Sequence, residues 1–269
     1  MPEVHRRRRA LEETPYQLPT PKLPTLVCGS FKGGSWKTSI AVACAERLAL
    51  AGLNVLLLSA DPQRDARQRM GVSPRAATHA PRLQVGAGTV TVIAAERAHL
   101  MNVLYEYGPE AMNLGSYHAA VVDMPPIQEG GWLPGTYLVV PLVDQNAILN
   151  ATTMLSNSPP TTEVLLVRVK DKDEAGWRKR ALALEKATDR TLDWLPAPIP
   201  ASEKIAEAHA SGQSVWSLAR RQNTLAFLEA IEEISAHFWA RLFGQEQEMP
   251  PAPRYDGPIP IRVPGWSDD

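Results

Sequence analysis

The residues best suited to chemistry lie in one short loop near the start of the chain. The segment from Cys28 to Ser39 reads CGSFKGGSWKTS. An apolar pair precedes this segment, and a run of helix-forming residues, Ile40 to Leu50, follows it. A glycine-containing loop between a strand and a helix presents backbone N–H groups that bind phosphate oxygens. The sequence therefore predicts a phosphate-binding loop at this position.

Two side chains at the end of this loop suit a nucleoside triphosphate and its metal ion. Lys37 places a positive charge on the terminal phosphates, and the hydroxyl of Thr38 is a ligand for Mg²⁺. A chance glycine–lysine turn ahead of a helix is the alternative. The loop is predicted to bind ATP–Mg²⁺ through Lys32, Gly33, Gly34, Ser35, Trp36, Lys37, Thr38 and Ser39.

The composition limits the possible classes of protein. A chain of 269 residues can bury the core of one full α/β domain, or of two small ones at most. The net charge of −1 does not mark a nucleic-acid binder, so any contact with DNA must come from a local patch. Cys28 and Cys44 are expected to be core thiols in a reducing cytoplasm. We expect an intracellular protein without a secretory signal or a transmembrane helix.

Apolar runs predict the elements that position the loop. Continuous apolar strands that alternate with helices are typical of an α/β fold, with a mostly parallel twisted sheet and helices on both faces. Residues 64–88 are polar and rich in arginine, and they are expected to form loops. Strands are predicted at 25–30, 54–58, 90–94, 117–123, 137–141, 163–169 and within 192–199, and helices at 37–51, 96–107, 144–155, 174–187 and 222–243.

The two ends of the chain differ in composition from the middle. Residues 1–23 are predicted to be a basic, proline-rich flexible tail, residues 24–245 a P-loop ATPase domain, and residues 246–269 a second proline-rich tail. The basic cluster in the first tail favours an electrostatic arm for DNA or an acidic partner as much as a solvated tail. This cluster comprises Arg6, Arg7, Arg8 and Arg9.

Two aspartates follow predicted strands and complete the candidate site. Asp123 ends a run of small and apolar residues, which is the Walker B pattern of a residue that binds Mg²⁺ through water. Asp61 follows the strand at 54–58 and precedes a proline. Taken alone, Asp61 is better explained as a capping residue in a turn that starts a helix, and only its pairing with the phosphate-binding loop favours a role in the site.

Together these segments resemble the ParA/MinD family of P-loop ATPases, and most closely the ParA-type partition ATPases. The resemblance covers about residues 24–243 and rests on four ordered segments. Residues 32–38, KGGSWKT, match the deviant Walker A motif of the family at every fixed position but one. The other three segments are Asp61-Pro62-Gln63, Asp123-Met124-Pro125-Pro126 and the stretch from Ile199 to Val215, IPASEKIAEAHASGQSV.

The resemblance implies a mechanism and a set of catalytic residues. Two subunits of a homodimer meet with ATP–Mg²⁺ between them, and Lys32 reaches the phosphates of the partner. Asp61 positions the attacking water and Lys37 holds the phosphates, so that catalysis consists mainly of electrostatic placement. Slow hydrolysis then separates the dimer.

The resemblance also implies a cellular role. The dimer binds DNA without sequence preference, and a ParB-like or other DNA-bound adaptor stimulates hydrolysis. Repeated cycles segregate or position DNA cargo in the cytoplasm, at the nucleoid. Contacts with DNA are expected from Lys204, Arg178, Lys179 and Arg180, together with the arginine arm at residues 6–9.

Two residues depart from the family pattern: Trp36 replaces a glycine, and Ser59 replaces an aspartate. If position 36 needs a positive φ, tryptophan there costs about 1–3 kcal/mol. That cost would weaken nucleotide binding by about one to two orders of magnitude. If the position is right-handed, the ring points out of the loop. The departures favour a second hypothesis, a degenerate scaffold or binding module with weakened or absent ATP hydrolysis.

A third hypothesis is a membrane cycle of the MinD type. MinD-like members end in a basic amphipathic helix that binds the membrane. The last predicted helix of this chain instead carries Glu229, Glu232 and Glu233, which have the wrong sign for anionic lipid. No membrane partner is therefore expected.

Overall fold

An eight-stranded sheet organises the fold. The structure is a computed structural model that describes residues 21–30, 34, 36–60, 65–72, 81–94, 97–107, 116–125, 136–156, 158–169 and 174–253. The strands are β1 (Thr25–Cys28), β2 (Asn54–Ser59), β3 (Arg82–Val85), β4 (Gly88–Ala94), β5 (Ala119–Asp123), β6 (Tyr137–Leu142), β7 (Glu163–Arg168) and β8 (Asp193–Trp194). Their order across the sheet is β3-β4-β2-β5-β1-β6-β7-β8.

The sheet is parallel except at one edge, where β3 runs antiparallel to β4. The central strands are buried on both faces, which explains their continuous runs of valine, leucine and alanine. β1 lies between β5 and β6. Strands β2 to β5 lie on one side of β1, and strands β6 to β8 lie on its other side, so the strand order reverses direction at β1. In open α/β sheets, such a switch point places a ligand site at the carboxyl ends of the strands.

Helices cover both faces of this sheet. They are α1 (Lys37–Leu50), α2 (Asp65–Arg69), α3 (Arg97–Met101), which continues as a π-helical stretch (Asn102–Tyr107), α4 (Gln145–Ser156), α5 (Glu174–Thr188), α6 (Glu203–Ala210), a short 3₁₀ helix (Val215–Ser217) and α7 (Gln222–Phe243). One apolar core joins α1, α2, α6 and α7 to the sheet, and a second core joins α3, α4 and α5 to its other face. The predicted α/β fold is confirmed.

The stretch at 64–88 differs from the prediction of loops. It contains helix α2 and the edge strand β3. β3 forms a hairpin with β4 through a tight turn in which Gly86 has φ 60°. β3 alternates polar and apolar residues, and its two apolar side chains, Leu83 and Val85, are buried. This alternation is the local pattern of a strand, and pairing with β4 places the strand at the edge of the sheet.

Both cysteines are buried free thiols, as the sequence predicted. Burial raises the pKa of the Cys44 thiol to about 12, so this side chain stays protonated and unreactive at neutral pH. None of the helices in the described part of the chain is long and apolar enough to cross a membrane.

Helix α1 carries a buried acidic residue, Glu46. Its side chain is fully buried, and its Oε2 accepts a hydrogen bond of 3.0 Å from Ser214 Oγ. Burial raises the pKa of Glu46 to about 8, although the hydrogen bond to Ser214 opposes this shift. The folded protein therefore holds a proton on Glu46 at neutral pH.

We expect this proton to make stability depend on pH. The unfolded chain releases it near pH 4.5, whereas the folded protein keeps it to about pH 8, so stability falls as the pH rises through this window. The loss is at most about 1.4 kcal/mol per pH unit. Glu46→Gln keeps an acceptor for Ser214 and cannot ionise. The free energy of unfolding of Glu46→Gln relative to that of wild type, measured with urea, should rise between about pH 5 and about pH 8. A difference between the two proteins that stays constant over this range would contradict the buried proton.

Candidate nucleotide-binding site

The carboxyl ends of three neighbouring strands meet where the phosphate-binding loop begins. Asp123, the last residue of β5, pairs in register with Cys28 of β1 and with Ser59 of β2. Backbone hydrogen bonds continue past the strands, because Met124 N donates to Cys28 O and Ala60 N donates to Asp123 O. The position of Asp123 is therefore fixed from both sides.

The first turn of α1 brings a hydroxyl to this carboxylate. Thr38 Oγ1 donates a hydrogen bond of 3.2 Å to Asp123 Oδ1. Asp123 is 1 % exposed and Lys37 is 7 % exposed. Burial raises the pKa of the Cys28 thiol, the neighbouring Cys44 and Asp123 add to this shift, and the charge of Lys37 opposes it. A lysine, a hydroxyl and a carboxylate thus share one small buried region.

This donor set fits Mg²⁺. The ion prefers oxygen ligands and is commonly held by one or two protein oxygens, with phosphates and waters completing its octahedron. Thr38 Oγ1 and Asp123 supply such oxygens within hydrogen-bonding distance of each other. Among the residues that the structure describes, no group of three or more histidine, cysteine, aspartate or glutamate side chains forms a competing metal site. The pair therefore suits a metal that also binds nucleotide phosphates.

The structure brings together one part of the predicted site. Lys37, Thr38 and Ser39 occupy the first turn of α1, and Asp123 faces them from β5. Gly34 lies in the loop with φ 68°, a left-handed conformation that glycine adopts without strain. The remaining predicted residues lie outside the described ranges and stay predictions: Lys32, Gly33, Ser35, Asp61, Arg6, Arg7, Arg8 and Arg9.

Trp36 has the left-handed backbone that a glycine would adopt. Its φ is 66° and its ψ is 9°, and its carbonyl accepts a hydrogen bond of 2.9 Å from Ile40 N at the start of α1. The expectation of a positive φ at position 36 is confirmed, and the alternative of a right-handed backbone at this position is wrong. The indole packs against Phe227 of α7, with the ring centroids 6.0 Å apart. The left-handed backbone is a cost to the free energy of folding, and the packing of the indole on Phe227 offsets part of that cost.

A pair of substitutions separates the strain from the packing. Trp36→Ala and Trp36→Gly both remove the contact with Phe227, but only glycine removes the strain of a left-handed Cβ. We expect the glycine variant to be more stable than the alanine variant by about 1 kcal/mol. Urea unfolding of the two proteins measures this difference. If alanine is equal or more stable, position 36 is not held in the left-handed region.

Comparison with known proteins identifies the family. The family model CbiA, described as the CobQ/CobB/MinD/ParA nucleotide-binding domain, matches residues 26–215. The chain belongs to this family. A comparison with curated protein sequences finds no match.

Solved structures of the ParA/MinD type share the fold. The MinD cell division protein of Aquifex aeolicus is 18 % identical with a TM-score of 0.56, over 78 % of this chain and 96 % of that one. The ATP complex of a McdA variant from Cyanothece is 17 % identical with a TM-score of 0.57, over 84 % and 98 %. The pNOB8 ParA is 15 % identical with a TM-score of 0.57, over 84 % and 100 %. At these identities the likeness shows the fold alone.

Ser59 stands where ParA-like chains carry the first aspartate of their Asp-x-Asp-Pro-Gln segment. It is fully buried, and its hydroxyl has no hydrogen-bond partner within the described ranges. It lies beside Asp123 on the adjacent strand. A second buried carboxylate here would repel Asp123 and raise its pKa. The serine therefore leaves Asp123 as the single acidic side chain of this strand pair.

Two residues at the edge of the site escaped the sequence analysis. Arg69, on α2, donates a hydrogen bond of 2.5 Å from Nη1 to Ser39 Oγ, and its Nη1 lies 3.4 Å from His209 Nδ1 on α6. Ala66 and Met70, which are buried and four residues apart, would have indicated helix α2 and hence the placement of Arg69. Nothing in the sequence pattern pointed to His209.

The predicted DNA-binding residues fall into two separate groups. Lys204 is exposed on α6 and forms an ion pair of 2.6 Å with Glu207. Arg178, Lys179 and Arg180 lie on α5, which packs on the opposite face of the sheet. The structure therefore does not bring them together with Lys204 on one face of the sheet. The guanidinium of Arg178 instead lies 5.4 Å from the ring centroid of Trp194.

Proposed function

We propose that the chain is a ParA-like ATPase that segregates or positions DNA cargo. It binds ATP–Mg²⁺ in the loop that precedes α1, forms a homodimer around the nucleotide, binds DNA without sequence preference and hydrolyses ATP slowly. The observation that carries the proposal is the contact between Thr38 and Asp123 beside buried Lys37, at the carboxyl ends of β1, β2 and β5.

Each residue of the site has a defined task. The N-terminus of α1 and its loop bind phosphate oxygens through backbone N–H groups, and Lys37 neutralises the terminal phosphates. Thr38 and Asp123 would hold Mg²⁺, which, when bound, would supply positive charge at the phosphates. Lys32 acts on the phosphates of the partner subunit, and Asp61 orients the attacking water. The protein thus lowers the barrier mainly by electrostatic placement.

Dimerisation couples the nucleotide to DNA. A surface split between two subunits binds DNA only when ATP holds them together. Lys204, which is exposed on α6, and the arginine arm at residues 6–9 supply phosphate contacts, and residues 178–180 offer a second basic patch. A ParB-like or other DNA-bound adaptor stimulates hydrolysis, in the cytoplasm at the nucleoid. The fold shared with pNOB8 ParA and with the McdA–ATP complex supports the proposal.

A degenerate member of the family is the second candidate. The strained backbone of Trp36 and the loss of a carboxylate at Ser59 favour it. Such a protein keeps the fold as a scaffold or as a DNA- or protein-binding module, and its ATP hydrolysis is weakened or absent.

One experiment separates the two candidates. ATP–Mg²⁺ is titrated by calorimetry, and sedimentation velocity follows the mass with ADP, with ATP, and with ATP and duplex DNA. For the proposed function we expect binding of both nucleotides, a dimer with ATP only, and co-sedimentation of DNA with that dimer. Nucleotide binding without a dimer, or DNA binding that is the same with and without ATP, would support the degenerate member of the family. Absence of ATP binding would overturn the ATPase proposal.

A further inference from the structure

Two side chains from other elements hold the first turn of α1. On one side, Thr38 Oγ1 donates a hydrogen bond to Asp123 of β5. On another side, Ser39 Oγ accepts a hydrogen bond of 2.5 Å from Arg69 Nη1 of α2. Consecutive residues of a helix point about 100° apart, so the two contacts approach the turn from different directions. The turn that begins with Lys37 is therefore tied to both the sheet and α2.

The charge of Arg69 lies where a helix disfavours a cation. The N-terminus of an α-helix carries a partial positive charge, so basic side chains are more stable at the other end. Helix α1 nevertheless begins with Lys37, has no acidic residue in its first turn, and accepts the guanidinium of Arg69 at Ser39. Two cations at such a terminus suit the binding of an anion better than a role in folding alone.

Helix α2 is packed closely enough to fix the position of a residue on α1. Its Ala66, together with Met70, is fully buried in the core that joins α1, α2 and α6. A Cβ added to Gly71, which follows α2, would lie 2.9 Å from Gly212 O, and Gly212 follows α6. The two turns therefore touch backbone to backbone. The backbone that carries Arg69 is held by the core and by α6.

The guanidinium of Arg69 is oriented by α6. Its Nη1 lies 3.4 Å from His209 Nδ1, and arginine has donors but no acceptor, so Nδ1 is the acceptor. His209 is 2 % exposed. Burial lowers the pKa of His209 to about 3, and the charge of Arg69 adds to this shift, so the ring is neutral at physiological pH. A neutral imidazole does not repel the guanidinium, and Nη1 has one hydrogen for Ser39 and one for His209.

We propose that Arg69 is a positioning residue of the nucleotide site, which acts through Ser39 to hold the first turn of α1 in the geometry that binds phosphate. The inference rests on the proposed nucleotide binding and names a residue that supports it. Arg69 acts without touching the nucleotide. It fixes the direction of the backbone N–H groups and of Lys37, and a small displacement of such groups is enough to weaken their contacts with a ligand. The planar guanidinium suits this task, because two of its donors are fixed by one geometry.

A double-mutant cycle on the full chain tests the proposal. Titration calorimetry measures the affinity for ADP–Mg²⁺, which the protein cannot hydrolyse. The variants are Arg69→Gln, Arg69→Lys, Ser39→Ala and the double variant that combines Arg69→Gln with Ser39→Ala. Arg82→Gln is the charge-matched control, because Arg82 is exposed on the edge strand β3. Urea unfolding of each variant shows whether the fold is kept.

We expect Arg69→Gln to weaken the binding of ADP–Mg²⁺ about 10-fold, and Ser39→Ala to weaken it by a similar factor. The double variant should bind no more weakly than either single variant, because all three lose the same contact. Arg69→Lys keeps the charge without the planar fork and should recover only part of the affinity. Arg82→Gln should bind as wild type does. If Arg69→Gln does not fold, Arg69→Lys takes its place in the cycle.

Three results would overturn the positioning role. Losses from Arg69→Gln and Ser39→Ala that multiply in the double variant would show that Arg69 acts independently of Ser39. Full affinity in Arg69→Lys would show that charge alone suffices. Unchanged affinity in a destabilised Arg69→Gln protein would leave Arg69 a purely structural residue. Each of these results is distinct from a failure of the proposed function, in which wild type itself does not bind ADP–Mg²⁺ and both proposals fall.

Discussion

Lys37→Ala is expected to lower the affinity for ATP–Mg²⁺ by about 100-fold or more. Lys37 is 7 % exposed and lies in the first turn of α1, where little water screens its charge. A hydrogen bond to a charged group contributes about 1.5–3 kcal/mol, and two contacts with terminal phosphates give about 3–6 kcal/mol. At about 1.4 kcal/mol per factor of ten, the loss is at least two orders of magnitude. Titration calorimetry measures it directly.

The matched control for this prediction is Lys186→Ala. Lys186 is exposed on α5, on the other face of the sheet, so its loss changes the net charge equally and leaves the site intact. Its affinity for ATP–Mg²⁺ should equal that of wild type. Thermal unfolding of both variants shows whether the fold is kept. Undiminished affinity in a folded Lys37→Ala protein would remove the loop before α1 from the nucleotide site.

The sequence was sufficient to predict the class of fold, because parallel strands that are buried on both faces must be apolar throughout. Strands β2, β6 and β7 follow their predicted ranges within a residue or two, and α7 matches 222–243. The position of the candidate loop between β1 and α1 was also predictable, because the end of a strand and the start of a helix are local patterns in the sequence. Lys37, Thr38 and Asp123 therefore lie where the pattern placed them.

The remaining features depend on contacts that are distant in sequence. Helix α2 carries Arg69 to a histidine that lies far along the chain. The left-handed backbone at Trp36 is imposed by the loop and offset by Phe227 on the last helix. No local pattern contains such information, since each effect arises only when separate elements pack together.

Helix α1 shows the same limit in its polar residues. All of its residues except Thr38 are buried, including the charged ones. The extra burial comes from α7, the 3₁₀ helix and the segment that follows α7. Glu46 and Arg47 therefore lie in the core, and each has a partner from the C-terminal part of the chain.

Arg47 is the most demanding of these residues, because its charged side chain is fully buried. Its guanidinium donates from Nε and Nη2 to the carboxylate of Glu232 on α7, and from Nη2 to the carbonyl of Pro250. It also lies 5.9 Å from the ring centroid of Trp216. Met249 and Ala252 pack on the adjoining core, so Arg47 anchors the segment that follows α7.

Arg47→Met is expected to lower the free energy of unfolding by about 2–4 kcal/mol. Breaking a buried ion pair costs about 3–5 kcal/mol when a charge is left uncompensated. The carboxylate of Glu232 is 36 % exposed and can recover some hydration, which reduces that cost. Methionine fills most of the vacated volume, so the loss reports the charge and its hydrogen bonds and not a cavity. Urea unfolding measures the change.

Arg241→Met provides the matched comparison, because Arg241 pairs with Glu163 at the surface. That pair is 27 % and 59 % exposed, and such pairs contribute about 1 kcal/mol or less. A double-mutant cycle of Arg47→Met with Glu232→Gln should give a coupling energy of about 1–3 kcal/mol, because the two side chains are in direct contact. If Arg47→Met costs no more than Arg241→Met, the segment after α7 is held by its apolar contacts, and the buried guanidinium is not its anchor.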